Sequence, residues 1–456
     1  MGADAVSRDN VVGQLLNSFQ PAIQSRLYNL FATYNNYTTF SNSGWIFNIF
    51  GFEGTDDYSS YDSIESIHDL IHGVTGDGGH MQIVDLSAFD PLFMLHHTMV
   101  DRVWAMWQVL NPEAWIEPRP EIMGSYTMQV GQVVDSATPL TPFHDASGKL
   151  YTSDDARRTE TFGYTYSETV RKSNMTDGEY RVSMIEAINL LYGEGTIAVP
   201  PEATSTSTAQ NTTQTNTLLV TDTLSTPAST LVPVTISSAD GTRTNISSTT
   251  IAPSSTTNST ASASATSTFT STFTSTRRIP GVAPKKSAPK PRPGSVHPRD
   301  NTHREYLVMI KVPKQVSAKP FFIHVFLGPA PAGHPREWCL ATNLVGSHAV
   351  FSSVKGHRMA GAPTGGGVTS TIPLTAKLAS RIGSQALGLE ETADYMQQNL
   401  KYRIVTSDGE MMENARLVTE GMVVEVASAL VQARASDLEF PRWGPMEKMF
   451  TVNEKL

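Results

Sequence analysis

Along residues 10–34, "NVVGQLLNSFQPAIQSRLYNLFATY", apolar side chains recur at helical spacing around Pro21, which predicts a helix ending there or a second one opening there. A second helical pattern, "EYRVSMIEAINLLYG", ends at Gly193, a natural stop. Between them "DPLFMLHHTMVD" opens on Asp90, which can cap free amides, followed by Pro91, tolerated at a first helical position. A helix from Pro91 through Gln108 would bury Phe93, Met94, Val100, Val103, Trp104 and Trp107. Beyond residue 300 the period changes. "REYLVMIKV", "KPFFIHVFLG", "KYRIVTSDG" and "MVVEVASALV" are short runs rich in Val, Ile, Phe and Tyr, and predict a small β-sandwich or barrel from about Asn301 to Arg434. No internal repeat is present.

The fold class is therefore α+β multidomain: residues 1–196 mainly helical with long irregular connections, 197–300 a linker, and 301–456 β-rich. Between Pro200 and Ser275 the chain is dominated by Ser and Thr, a composition that cannot bury enough apolar surface to offset its ordering entropy, so disorder is expected. The linker closes on the basic, Pro-rich "RRIPGVAPKKSAPKPRPGSVHPR", read as a solvated extended segment in which the Arg277-Arg278 pair offers a protease target.

Composition narrows the function classes. The formal net charge is −9 over 456 residues with pI near 5.7, which gives no general drive toward nucleic acid or anionic membrane. Cys339 is the one cysteine, so neither an intrachain disulfide nor a cysteine metal cage can form. No run is long enough to span a bilayer, and the opening "MGADAVSRDN" lacks the apolar core of a signal peptide, which favours a cytoplasmic protein. Sequons at Asn36, Asn174, Asn211, Asn245 and Asn258 matter only in a secreted chain.

The candidate chemistry lies in histidines. In "SIESIHDLIHG", His68 and His72 are four residues apart with Glu65 three residues before the first, so on a helix all three leave one stripe. His97 would be buried by its own helix, and a buried imidazole needs a hydrogen-bond partner or a metal. Two imidazoles from one helix and one from another make a three-imidazole site suited to copper, zinc or iron. A zinc protease is the weaker reading, because Asp69 stands where its glutamate belongs and His80 is too far from His72 for the extended spacing.

Asp90, Pro91 and Phe93, followed by His97 and then Asp101 four positions on, resemble the second copper half-site of tyrosinases, catechol oxidases and molluscan haemocyanins. "TFGYTYSE" resembles the tyrosine segment near the end of that family's catalytic domain, while "FFIHVFLGPAP" and "NLVGSHAVFSS" resemble the β-rich cap of fungal tyrosinases. The resemblance implies a truncated, mainly helical type-3 copper bundle over 1–196 and a cap over 301–456. It implies His68, His72 and His97 as copper ligands, with His96 packing behind them, and Glu65 and Asp69 orienting a water that deprotonates a phenol. Asp101 would accept a ring N–H from a ligand histidine, or else pair with Arg102. His80 is expected in a loop, and Phe326 and Phe351 in the cap core, with plugging of the site the alternative.

The family's reaction needs two coppers, yet residues 1–67 contain no histidine, so this chain supplies ligands for one and reads as beginning inside the catalytic domain. The implied function is oxidation of mono- or o-diphenols to o-quinones by dioxygen in melanin-type pigment formation, incomplete in this chain. The partners are a phenolic small molecule and dioxygen, with no nucleic acid and no membrane. The alternatives are a noncatalytic copper-binding or haemocyanin-like remnant, and an inert remnant that binds no metal.

Overall fold

The structure, a computed structural model, describes residues 6–44, 58–121, 126–193, 301–313, 317, 319–351, 367–384 and 387–452. The expected linker at 197–300, with the Arg277-Arg278 pair, lies outside the described residues. Helix α1 (Asp9–Thr33) runs unbroken through Pro21, which corrects the predicted break. An interior proline costs a helix about 3 kcal/mol. Here buried side chains anchor the helix on both sides of it: Phe19 packs with Leu70 and Val74, while Leu27, Leu30 and Phe31 pack with Trp107 and Ile188.

Short α2 (Tyr37–Ser41) is capped by the Asn36 side chain, which accepts the Thr39 N–H. In α3 (Ile64–Gly76) the Ser63 hydroxyl accepts the Ser66 N–H, and the helix stops at Asp77, whose φ of 40° is left-handed. Helix α4 (Pro91–Leu110) starts as expected, with the Asp90 carboxylate accepting the Leu92 N–H and Pro91 in the first turn. Its buried residues include His96, Val103, Met106 and Trp107, but Met94 is 59% exposed, contrary to the predicted burial. Helix α5 (Asp177–Tyr192) opens with a reciprocal Thr176–Glu179 capping box and ends at Gly193. Two small hairpins lie between α4 and α5: β1 (Arg119–Pro120) with β2 (Val133–Val134), and β3 (Pro139–His144) with β4 (Leu150–Thr152).

The C-terminal part is the expected β-rich layer pair. Strands β5 (Thr302–Pro313), β6 (Phe321–Leu327), β7 (Leu344–Val350) and β8 (Gly367–Pro373) are followed by helices α6 (Thr375–Ile382) and α7 (Leu389–Asn399). Then come β9 (Leu400–Thr406), β10 (Met411–Met412), α8 (Asn414–Thr419), β11 (Val423–Gln432), β12 (Arg442–Trp443) and β13 (Glu447–Thr451). One antiparallel sheet runs β10-β9-β6-β7 and the other β12-β11-β5-β8, with β13 also paired to β11. The three helices of this part were not anticipated by the strand pattern.

Tyr306, Val308, Ile310, Ile323, Val325, Ile404 and Val426 fill the space between the sheets. The opposite face of β5 buries Leu307 and Met309 beside Tyr61, and the opposite face of β6 turns Phe322 onto Leu70 and Val74 of α3. These strands read as apolar runs because both their faces are covered. The described residues of both stretches belong to one compact unit, whose helical and β-rich parts meet along α3. There a Cβ on Gly73 would lie 2.7 Å from the Phe322 ring and 2.8 Å from Ala349, so only glycine permits the approach.

Candidate metal centre

Helix α3 presents His68 and His72 on one stripe, and α4 crosses it with His97. The three rings meet: His68 Nε2 lies 3.3 Å from His97 Nε2, and His72 Nε2 lies 3.4 Å from the same atom. Nitrogens sharing one tetrahedral ion at the usual bond length sit about 3.4 Å apart, so the spacing fits a common metal. Ligating nitrogens of His68, His72, His96 and His97 all lie within 4.8 Å of one another, the single such group among the described residues.

Each α3 imidazole is held from behind. His68 Nδ1 is 3.0 Å from Asp69 Oδ1, and His72 Nδ1 donates to the Met81 carbonyl at 2.6 Å. Both contacts keep the proton on Nδ1 and turn the Nε2 lone pair toward the cluster. The glycine-rich turn before Met81 thus serves the site through a backbone oxygen; His80 itself lies outside the cluster. Burial, reinforced by the neighbouring His68, lowers His72 to about 4, and burial lowers His97 in the same direction. At neutral pH these rings are uncharged, the form that binds a metal.

Glu65 faces the segment before the site rather than the cluster's rear. Its Oε2 accepts the Ser43 N–H at 2.7 Å and the Ser43 hydroxyl at 2.8 Å. The Ser43 carbonyl in turn accepts both the N–H and the hydroxyl of Thr369 on β8, at 3.1 and 3.0 Å. Asp69 sits against His68, in the orienting position that had been expected of Asp101. Asp101 instead receives the hydroxyls of Tyr164, at 2.8 Å, and Tyr166, while Arg102 pairs with Glu168. The tyrosine segment therefore docks on α4 through both of these residues. Burial and the Asp101 carboxylate push Tyr164 up to about 12, so both tyrosines stay protonated donors.

The β-rich part reaches the cluster at one ring. Phe351, just after β7, stacks on His72 with centroids 4.5 Å apart and planes at 19°, whereas Phe326 packs in the core against Trp338 and Val405. Core packing was expected of both. Phe93 stacks on His97 at 4.1 Å. Ser43, Met81 and the stacked position of Phe351 were missed in the sequence; a main-chain acceptor and a long-range ring contact leave no local pattern.

Residues 3–110 match the common central domain of tyrosinase, and residues 305–426 match the tyrosinase C-terminal domain. A tyrosinase of Podospora anserina is 39% identical over 194 residues, 42% of this chain and 33% of that protein. A tyrosinase of Neurospora crassa is 34% identical over 193 residues, 42% of this chain and 27% of that one. The fold is similar to that of a recombinant mushroom tyrosinase, with a TM-score of 0.61 at 18% identity over 99% of this chain and 64% of that chain. The chain spans about a third or less of the length of these two curated relatives. No helix among the described residues is long and apolar enough to cross a membrane.

Proposed function

The chain belongs to the fungal tyrosinase family, and on that premise we propose that His68, His72 and His97 hold one copper ion that serves the oxidation of mono- and o-diphenols to o-quinones with dioxygen, in melanin-type pigment formation. The observation that carries the reading is the approach of the His68 and His72 Nε2 atoms to His97 Nε2, at 3.3 and 3.4 Å. Copper, when bound, supplies the redox chemistry with dioxygen; the chain's own groups bind, orient and move protons.

Asp69 fixes the proton on His68 Nδ1, and the Met81 carbonyl does so for His72, which keeps both rings aimed at the ion. In this reading Glu65, which accepts two hydrogen bonds from Ser43, would hold a water and take a phenol's proton through it, and Asp69 would share in holding that water. Phe351 covers the His72 face and keeps bulk water from it. Residues 1–196 form the catalytic part and 301–456 the cap in this reading.

A second reading, a noncatalytic copper-binding or haemocyanin-like protein, is favoured by one finding: the described residues hold one metal-ligand group, and the reaction needs two coppers. Copper titration of the purified chain followed by a catechol oxidation assay separates the two. One copper per chain, lost in His97→Ala, with quinone formation supports the oxidase. Copper without quinone supports the second reading, and absence of stoichiometric copper refutes both.

A further inference from the structure

The carbonyl that holds His72 belongs to a peptide group whose other end is pinned by Gln82. His72 Nδ1 donates to the Met81 carbonyl at 2.6 Å, and that carbonyl shares one planar, trans peptide group with the Gln82 N–H. The Gln82 N–H donates in turn to the Gly79 carbonyl at 3.2 Å. In a trans peptide the N–H and C=O point in opposite directions, so fixing the N–H fixes where the carbonyl aims. The Gln82 side chain adds a second anchor: it is 2% exposed, and its Oε1 accepts the Gly78 N–H at 2.6 Å.

The turn closed in this way is tight. Helix α3 ends at Gly76; Asp77 and Gly78 follow with φ of 40° and 80°, both left-handed, and the Gly79 N–H donates back to the Gly76 carbonyl at 2.5 Å. A Cβ on Gly76 would lie 2.3 Å from the Gln82 nitrogen and 2.5 Å from its Cβ, so residue 82 sits directly against the helix end. Gln82 thus ties the turn at two successive glycines, Gly78 through its side chain and Gly79 through its backbone. Glycine holds no conformation by itself, so the shape of this turn depends on those bonds.

We propose that Gln82 is a positioning residue of the metal centre, acting on His72 through the Met81 carbonyl. This rests on the metal-binding part of the function proposed above and deepens it by one residue behind the ligand. The bond to Met81 commits His72 to the tautomer protonated at Nδ1, which leaves the Nε2 lone pair facing His97 Nε2 at 3.4 Å. When the Gln82 side chain no longer accepts from Gly78, the turn loosens, the Met81–Gln82 peptide group can rotate, and its carbonyl leaves Nδ1. The His72 proton is then free to sit on either nitrogen, and a ring protonated at Nε2 has no lone pair there for a metal.

The test uses the full chain, zinc as the probe metal, and three variants. Gln82→Met keeps the length of the side chain without its oxygen, Gln82→Glu keeps an oxygen for the Gly78 N–H, and His72→Gln removes the ligand. Two quantities are measured: zinc affinity, and the tautomer of His72 in the metal-free chain, read from nitrogen-15 NMR of labelled histidine rings and assigned by the signals lost in His72→Gln. The wild type should show His72 protonated on Nδ1 alone. Gln82→Met should show a mixture of tautomers and bind zinc about 10-fold more weakly, the lower end of the loss produced by removing an outer-shell partner. Gln82→Glu should recover most of that affinity. A wild-type His72 protonated on Nε2 overturns the proposal with no variant needed. Wild-type zinc affinity in Gln82→Met overturns it too, as does equal weakening in both Gln82 variants with the tautomer unmoved, the signature of a packing role; the function stands in each case. Zinc affinity unchanged by His72→Gln, or a wild-type chain that binds no zinc, overturns the metal-binding reading and this proposal with it.

Discussion

Arg26→Met removes the cation of a buried ion pair that ties three elements together. The guanidinium, on α1, is 2% exposed; it donates to both oxygens of Asp62 at 2.9 and 2.6 Å, to the Ser66 hydroxyl at 2.7 Å and to the Ser370 hydroxyl on β8 at 3.0 Å. Asp62 also accepts the Thr371 hydroxyl at 2.7 Å and the Ser63 N–H at 2.9 Å. Breaking such a pair from one side costs about 3–5 kcal/mol, mostly as the penalty of the charge left behind. Two donors remain on Asp62 after Arg26→Met, so the loss belongs near 3 kcal/mol. Asp62→Leu leaves a guanidinium facing only hydroxyls, and the loss belongs nearer 5 kcal/mol.

The double variant removes both charges, and its loss should fall well below the sum, with a coupling energy of several kcal/mol. Urea unfolding of the metal-free chain, followed by tryptophan fluorescence and circular dichroism, measures all four proteins. Because Asp62 immediately precedes the Ser63 cap of α3, metal affinity should fall in the single variants as well. A single-variant loss under about 1 kcal/mol, or additive losses in the double variant, would refute the reasoning.

Phe351→Ala should speed the stripping of bound metal by a chelator several-fold, since its ring covers His72 at 4.5 Å; an unchanged rate would show that the stack guards nothing. Ser43→Ala removes the hydroxyl donor that Ser43 gives Glu65 and should cost about 1–3 kcal/mol of stability while shifting the pH profile of phenol oxidation; a stability loss with an unmoved profile separates a structural role from a proton-handling one. His324, fully buried and bonded to the Ser347 hydroxyl at 2.7 Å, is lowered by burial to about 3, so the unfolded chain binds this proton and the folded chain does not between pH 6.5 and about 3. Stability should therefore drop as the pH is lowered across that window, by about 1.4 kcal/mol per unit, and His324→Gln should flatten the slope by that amount; an unaltered slope refutes the assignment.

The mixed architecture was legible because its signals are local. Asp90 and Pro91 mark the start of α4, Gly193 marks the end of α5, and the strand periods after residue 300 survive in β5, β6, β9 and β11. The four-residue spacing of His68 and His72 placed both rings on one side of α3. What failed depends on tertiary contact. Pro21 stays inside α1 because packing on both sides outweighs the lost backbone bond. Met94 falls on an exposed face of α4 that periodicity alone paints as core. Helix α7, "LEETADYMQQN", buries little besides Thr392 and Met396, too few positions to announce a helix. Asp101 was misjudged for a related reason: which hydroxyl a helix side chain meets is set by the partner element, here the tyrosine segment.

The β-rich part grips α3 at both ends, but with unequal strength. At the start of the helix, β8 sends Thr371 to Asp62, Ser370 to Arg26 and Thr369 to the Ser43 carbonyl, whose own donors hold Glu65. The buried hydrogen bonds to Asp62 and from Arg26 involve charged groups and contribute about 1.5–3 kcal/mol each, whereas those to the neutral Ser43 carbonyl contribute about 0.5–1.5 kcal/mol each. Toward the other end the contact is the ring of Phe351 on His72 and the close approach of Phe322 to Gly73. An aromatic stack adds about 0.5–1.5 kcal/mol beyond its buried area. The Phe351 stack is therefore the weaker link. An opening at the histidines can proceed by displacing Phe351 while β8 remains docked and Glu65 keeps its support. Full removal of the β-rich part would instead uncover the metal cluster and disturb its acid together.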